Sequence, residues 1–122
     1  MAKDLTVTLE DQPGALAGAC EALGGAGINI EGCCAVRGDG EARFQVLVED
    51  ADGARRALEK AGYEVSSERD VLVVELQDRP GAAADVLTRI AAAGVNLDLA
   101  YLGTSTRLVV SGDDLERARA AL

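Results

Sequence analysis

The chain has 122 residues, of which 48% are hydrophobic, and its 21 acidic and 12 basic residues give a net charge of −9. A nucleic-acid-binding surface needs clustered basic residues and an anionic membrane repels an acidic chain, so we expect neither as a partner. Histidine is absent, which removes the commonest general acid-base group and the commonest metal ligand. We therefore expect no catalytic residues, no metal and no cofactor, and we do not expect an enzyme.

Three cysteines, Cys20, Cys33 and Cys34, are present without a C-x-x-C motif. Their odd number and the lack of a recognisable signal peptide predict reduced thiols in a cytoplasmic protein. Neighbouring side chains of a strand point to opposite faces, so Cys33 and Cys34 are poorly placed to bind one metal ion together. We expect these thiols to be packing residues or inert.

The first half of the chain predicts a strand, a helix and a second strand in succession. Leu5, Val7 and Leu9 alternate with polar residues, which indicates a strand with one buried face. An Asp-x-Pro-Gly turn follows, and a one-sided helix that stops at Gly27 is predicted by apolar residues at positions 16, 19, 20 and 23. The second strand is expected to bury residues 28, 30, 34 and 36.

Three further elements complete a βαββαβ order. A turn signal at 38–40 precedes a third strand, in which residues 44, 46 and 48 are apolar. The segment 50–61 predicts a second amphipathic helix, and the segment 63–67 predicts a short fourth strand. This order is typical of an α+β sandwich with one antiparallel sheet and two helices.

The pattern of the first half recurs in the second half. The string DQPGA at 11–15 returns as DRPGA at 78–82, and Gly27-Ile28-Asn29 returns at the same spacing as Gly94-Val95-Asn96. The second copy shortens at its hairpin, near 103–105, and ends before a counterpart of the fourth strand. An internal repeat of this kind predicts two modules, residues 1–68 and residues 69–122, of which the second lacks its last strand.

The repeated strings resemble the ACT family, whose usual signature is a strand, a D/N-x-P-G-x-L turn, an amphipathic helix and G-[IV]-N-[IL]. The signature stands here as DQPGALAGACEALGGAGINI and as DRPGAAADVLTRIAAAGVNL. The resemblance implies two ferredoxin-like ACT modules side by side, as a tandem repeat. It also implies a regulatory protein that binds a small-molecule amino acid and allosterically modulates a partner, either an enzyme or another regulator.

A second interpretation also follows from a resemblance. The string LEDQPGALAGACEALGGAGINIEG is similar to the start of the acetohydroxyacid synthase small subunit. That similarity implies a regulatory subunit of an amino-acid biosynthetic enzyme, acting mainly by protein-protein contact. The second repeat departs from the usual C-terminal half of that subunit, which favours the first interpretation.

The candidate ligand-binding residues lie in the two Asp-x-Pro-Gly turns and at two asparagines. A helix N-terminus has unpaired N–H groups that suit an α-carboxylate, and an Asp can accept hydrogen bonds from an α-ammonium. The same Asp can instead cap its helix, and the Asn can satisfy turn backbone. The resemblance implies that the Asn of one module reaches the turn of the other. The candidates are Asp11, Gln12, Gly14, Ala15, Leu16 and Asn29 in the first copy and Asp78, Arg79, Gly81, Ala82, Ala83 and Asn96 in the second.

A homodimer is expected from the second module. Val71, Val73 and Val109 place apolar side chains on the face opposite its predicted core. Ordinary β-propensity can explain such residues. An apolar sheet face and a bare strand edge also suit packing against a second copy of the chain, and this interpretation predicts the homodimer.

Overall fold

The computed structural model describes all residues from 1 to 122 and confirms the predicted α+β class. The first six elements have the predicted βαββαβ order, and a further α-β-β-α series follows. None of the four helices has the length and hydropathy that a bilayer-spanning segment requires. The elements are β1 (Ala2–Glu10), α1 (Ala15–Gly25), β2 (Gly32–Gly38), β3 (Glu41–Val48), α2 (Ala51–Lys60), β4 (Glu64–Glu75), α3 (Ala82–Ala92), β5 (Leu97–Gly103), β6 (Arg107–Gly112) and α4 (Leu115–Ala120).

The chain forms two compact units, and the boundary between them falls within β4. The N-terminal unit is Ala2–Asp70, and the C-terminal unit is Val71–Leu122 together with Met1. The sequence predicts a short strand at 63–67 and a separate one around 72–76, whereas the structure has one continuous strand. The reason is that no Gly or Pro interrupts residues 63–79, so the polar stretch in the middle stays extended.

The N-terminal unit has a core between its sheet and its two helices. Strand β3 pairs antiparallel with β1 on one side and with β2 on the other. The alternating residues of β1 and β3 face the helices, as their period of two predicts. At most 3% of each of these core residues is exposed: Leu5, Val7, Leu9, Phe44, Val46 and Val48 from the sheet, and Ala19, Leu23, Ala54 and Leu58 from the helices.

The predicted buried face of the second strand is right for Ile28 and Ile30, which pack against the core, and wrong for Cys34 and Val36. Strand β2 begins only at Gly32, so residues 28–31 are not part of it. In its register Cys33 lies opposite the core residue Val46, and Cys34 lies opposite Gln45. Residues directly opposite each other share a face of the sheet, so Cys33 lies on the core side and Cys34 lies on the other side. Val36 lies on the same face as Cys34, and it is 63% exposed. The alternation fails because it was counted through a segment that is not a strand.

Side chains from the first part of β4 hydrogen-bond to β1 within the N-terminal unit. Lys3 forms an ion pair with Asp70. The Ser67 hydroxyl donates to Oγ1 of Thr6 at 2.9 Å, and the Thr6 hydroxyl donates to Oε1 of Gln45 at 2.8 Å. These hydroxyl and amide groups form a polar row on the face of the sheet that faces away from the helices.

Helices α2 and α4 each begin with an aspartate cap. The Asp50 carboxylate accepts the Gly53 N–H at 2.9 Å, and the Asp114 carboxylate accepts the Arg117 N–H at 3.0 Å. Each bond satisfies one of the N–H groups that a helix start leaves without an intrahelical partner. The sequence of these helices therefore specifies where they start.

Asp50→Ala is expected to lower the free energy of unfolding by about 1 kcal/mol, because the Gly53 N–H loses its acceptor. Urea denaturation followed by circular dichroism measures the change. The control is Asp52→Ala, which removes an exposed carboxylate from the same first turn but no cap. Equal losses in the two variants would show that the negative charge near the helix start matters and the cap does not.

The C-terminal unit has the predicted βαββα order. Strand β6 pairs antiparallel with β4 and with β5, and the predicted hairpin joins Gly103 to Arg107. Arg107 braces this hairpin, because its guanidinium donates to the carbonyl and hydroxyl oxygens of Thr104 at 2.8 and 2.7 Å. The core of the unit consists of Leu72, Ile90, Val95, Leu108, Val110 and Ala118.

The apolar face that suggested a homodimer is largely covered within one chain. Val71 is 1% exposed and Val109 is fully buried, while Val73 is half-buried. The expectation that these side chains need a second copy to bury them is therefore wrong. The homodimer itself stays a prediction, which light scattering at micromolar concentration can test.

Candidate functional site

Both Asp-x-Pro-Gly turns place a left-handed glycine directly before a helix. Gly14 precedes α1 and Gly81 precedes α3, and both have a φ of 88°. The conformation is strained for residues with a side chain, which explains the glycine. A glycine at this position has no side chain to cap the helix. The interpretation that the aspartate of the motif caps the helix is therefore wrong for both turns.

The starts of α1 and α3 consequently keep free N–H groups. In α1 the N–H groups of Leu16 and Ala17 have no acceptor, and in α3 the same holds for Ala83 and Ala84. Helices α2 and α4 differ, since an aspartate caps each of them. Free N–H groups and the positive end of the helix dipole favour an anion such as a carboxylate.

Asp11 of the first turn forms an ion pair with the end of β2. Its Oδ2 lies 2.8 Å from an Nη atom of Arg37, whose side chain is 78% exposed against 32% for Asp11. The sheet register explains the proximity, because Arg37 pairs with Ala42 and Ala42 pairs with Leu9, two residues before Asp11. Arg37 was not among the residues predicted from the sequence.

An open groove of about 490 Å³ lies between the first turn and β2. It brings together four predicted site residues, Asp11, Gln12, Ala15 and Leu16. Leu16 was also expected on the buried face of α1, but it is 42% exposed and lines the groove instead. Around these four stand the lining residues that the sequence did not predict, Leu9, Glu10, Ala35, Val36, Arg37 and Ala42.

The second turn has the same backbone and different side-chain bonds. The Arg79 guanidinium donates to Gln77 at 3.0 Å, to the Pro80 carbonyl at 3.2 Å and to Asp85 at 2.8 Å. Arg79 thus stabilises its own turn through these bonds. Asp78, the aspartate of the motif, forms no ion pair. Of the other predicted residues here, Ala82 is buried and Ala83 is half-buried.

The two asparagines lie outside the strands to which they were assigned. Asn29 precedes β2 and lines a separate pocket of about 230 Å³ with Glu31, Glu49 and Asp50. Asn96 directly precedes β5, and its backbone is bound to Asp113. Its N–H donates to the Asp113 carboxylate, and its carbonyl accepts the Asp113 N–H, both at 3.1 Å. The exposed Asn side chains remain available to a ligand.

The three thiols are free and differ in their surroundings. Burial raises the pKa of Cys20 and of Cys34, with a smaller contribution from Asp4 at Cys34 and from Cys33 at both. Cys33 is exposed. The structure contains no group of three or more cysteine, aspartate and glutamate side chains placed to hold a metal ion.

Cys33 is expected to react with iodoacetamide at pH 8 several-fold faster than Cys20 or Cys34. The thiolate is the reactive form, and the raised pKa of the two half-buried thiols lowers their thiolate fraction at this pH. Mass spectrometry of the alkylated peptides over time measures the three rates. Protein unfolded in urea is the control, since the difference should largely vanish there. Faster labelling of Cys20 or Cys34 in the folded protein would contradict the expectation.

Comparison with known proteins gives a family-model match over part of the chain and several similar solved structures. A family model described as the ACT domain matches residues 71–122. A Bacteroides thetaiotaomicron protein is similar over 99% of this chain and 85% of its own, with 27% identity and a TM-score of 0.87. The ligand-free regulatory subunit of aspartate kinase from Thermus thermophilus is similar over 99% and 87%, with 27% identity and a TM-score of 0.73.

A third structure shows the shared fold alone. It is the aspartate kinase regulatory subunit of Thermus flavus, similar over 98% of this chain and 86% of its own, with 24% identity and a TM-score of 0.66. A comparison with curated proteins gave no match.

Proposed function

We propose that the chain is a regulatory protein of the ACT family, which binds an amino acid and modulates a partner; the ACT-domain model that matches residues 71–122 supports the family. The observation that carries the proposal is the pair of open helix starts behind Gly14 and Gly81. Two glycines with the same φ leave the same N–H groups free in both turns. Those groups can receive an α-carboxylate, and the motif aspartate can receive an α-ammonium.

We further propose that the chain consists of two ferredoxin-like ACT modules, residues 1–68 and residues 69–122, side by side, of which the second lacks its last strand. The matching turns support this repeat, and so does the shared β-α-β-β-α order. The proposed ligand-binding residues are those of the two turns together with Asn29 and Asn96. In this proposal the chain acts through binding and has no catalytic residues of its own.

An enzyme is the proposed class of partner. The Thermus thermophilus relative is a regulatory subunit of aspartate kinase, which is an enzyme that acts on an amino acid. The alternative is a regulatory subunit that works mainly by protein-protein contact, as the resemblance to the acetohydroxyacid synthase small subunit implies. The two proposals differ in whether an amino acid binds to the isolated chain.

A thermal-shift screen with each of the twenty amino acids tests the proposal. A ligand that binds only the folded chain raises its Tm, and a concentration of a hundred times Kd stabilises it by about 2.7 kcal/mol. We expect one amino acid, or a few related ones, to raise the Tm in proportion to the logarithm of concentration. If none does, amino-acid binding by the isolated chain is wrong, and the protein-contact alternative is favoured.

A further inference from the structure

We infer, on the basis of the proposed function, that the groove of the N-terminal unit binds a neutral aliphatic amino acid in place of the Asp11–Arg37 ion pair. The ligand carboxylate takes the position of the Asp11 carboxylate at Arg37 and also accepts the free N–H group of Leu16, which lines the same groove. The ligand ammonium takes the position of the Arg37 guanidinium at Asp11. Arg37 thereby becomes a ligand-binding residue that the ACT-like motif does not contain.

The charges of the groove suit a molecule that carries both signs. Asp11 and Arg37 are 2.8 Å apart, and the two side chains are 32% and 78% exposed. An ion pair this exposed adds little to stability, so a ligand can separate it easily. A free α-amino acid has its ammonium and carboxylate on the same carbon atom, and it can therefore satisfy both side chains at once. A ligand with only one charge would leave one of them unpaired.

The walls of the groove suit an aliphatic side chain. They consist mainly of small aliphatic residues, and the two large ones at the surface are Leu16 and Val36, which are 42% and 63% exposed. Covering these side chains with apolar ligand surface is favourable. The volume of about 490 Å³ lies within the range of small-molecule pockets. Besides Asp11 and Arg37, Glu10 is the one charged residue of the lining. Its carboxylate would favour a ligand with a cationic side chain, for which L-lysine is the probe.

The second turn does not offer the same chemistry. Asp78 forms no ion pair, and the guanidinium closest to it in sequence, that of Arg79, is bound to Asp85 and Gln77. No arginine of the C-terminal unit thus forms with Asp78 the pair that Arg37 forms with Asp11. We therefore expect one ligand per chain to bind in this way.

The first experiment compares L-leucine with two analogues, each of which lacks one of its charged groups, and with the cationic amino acid L-lysine. The probes for isothermal titration calorimetry are L-leucine, 4-methylpentanoate without the ammonium, 3-methylbutylamine without the carboxylate, and L-lysine. We expect L-leucine to bind with a stoichiometry of one. Each analogue should bind about ten- to a hundredfold more weakly, as expected when a charge-assisted hydrogen bond is lost. L-lysine binding more tightly than L-leucine would overturn the aliphatic class and would point to Glu10.

The second experiment uses two variants of the groove and two matched controls. Arg37→Gln removes the cation, and Val36→Asp places a charge on the apolar wall. We expect each to weaken L-leucine binding about tenfold or more. The controls are Arg56→Gln, on the exposed surface of α2, and Leu102→Asp, since Leu102 of β5 is 61% exposed, close to the 63% of Val36. All four positions are exposed, so the Tm without ligand should stay within a few degrees of that of the unmodified protein.

The outcomes separate this inference from the proposed function. If no amino acid binds in the thermal-shift screen, the proposed function fails and the inference fails with it. If an amino acid binds but Arg37→Gln and Val36→Asp leave its Kd unchanged, the groove is the wrong site and the proposed function still stands. Equal weakening by the control variants would also overturn the inference, because it would show a general effect of charge.

Discussion

Phe44→Ala is expected to lower the free energy of unfolding of the N-terminal unit by about 3–5 kcal/mol. Phe44 is the only phenylalanine of the chain, and it is 1% exposed. It lies at the centre of the sheet, opposite Val7 on one side and Ala35 on the other. The other buried core residues are alanine, valine and leucine, so none of them has the volume of the lost ring. Small domains are stable by about 5–15 kcal/mol, and the loss is therefore a large share.

Urea denaturation followed by far-ultraviolet circular dichroism measures this loss. The control is Phe44→Leu, which keeps much of the volume and is expected to lose about 1.5 kcal/mol or less. This control also stays measurable if Phe44→Ala does not fold. A loss below about 1 kcal/mol for Phe44→Ala would mean that the core collapses around the cavity.

Gly112→Ala is expected to destabilise the C-terminal unit by about 3 kcal/mol, at the upper end of the range for overpacking. A Cβ atom on Gly112 would lie 2.3 Å from the carbonyl oxygen of Asn96 and 3.1 Å from the Leu97 side chain. Since the closest atom belongs to the backbone, it cannot rotate away. Moving it would also strain the hydrogen bond that the Asn96 carbonyl accepts from Asp113.

Thermal and urea unfolding of Gly112→Ala measure the effect, and Gly24→Ala is the matched control. Gly24 lies in α1, and a Cβ atom there would meet nothing within 4 Å. Because alanine favours a helix more than glycine does, this control should gain about 0.5–1 kcal/mol. If Gly112→Ala is as stable as the unmodified protein, the strands near Asn96 can separate without a penalty, and the tight contact is not a constraint.

The order of elements could be predicted because a strand or helix that is buried on one face has apolar residues at a regular spacing in the sequence. Leu5, Val7 and Leu9 record the buried face of β1 directly. The second strand could not be predicted in the same way. The face of Cys33 is set by its pairing with Val46 of β3, which is a property of two strands in register and not of either sequence alone. Ile28 also packs against the core, but it does so from a segment outside any strand.

The candidate site could be predicted only in part, for a related reason. The turn motif correctly indicated a helix start behind Gly14, but it did not show which residue occupies the capping position. Asp50 and Asp11 each stand three residues before a glycine, yet only Asp50 caps its helix. Arg37 was missed because its contact with Asp11 depends on the register of three strands. The predicted hairpin at 38–40 would have placed Arg37 opposite Ala42, and this is the signal that could have identified it.

The left-handed glycines of the two turns also set how the sequence can vary. The side chain of any other residue at position 14 or 81 would strain a backbone with a φ of 88°, and asparagine or aspartate would be the least strained replacements. The adjoining positions have no such restriction, as the change from Gln12 in the first turn to Arg79 in the second illustrates. The side chains of the two turns can therefore diverge while the backbone conformation before each helix stays the same. If a library randomised over positions 11–16 is selected for folded protein, we expect the selected sequences to have glycine at position 14 and varied residues at the adjoining positions.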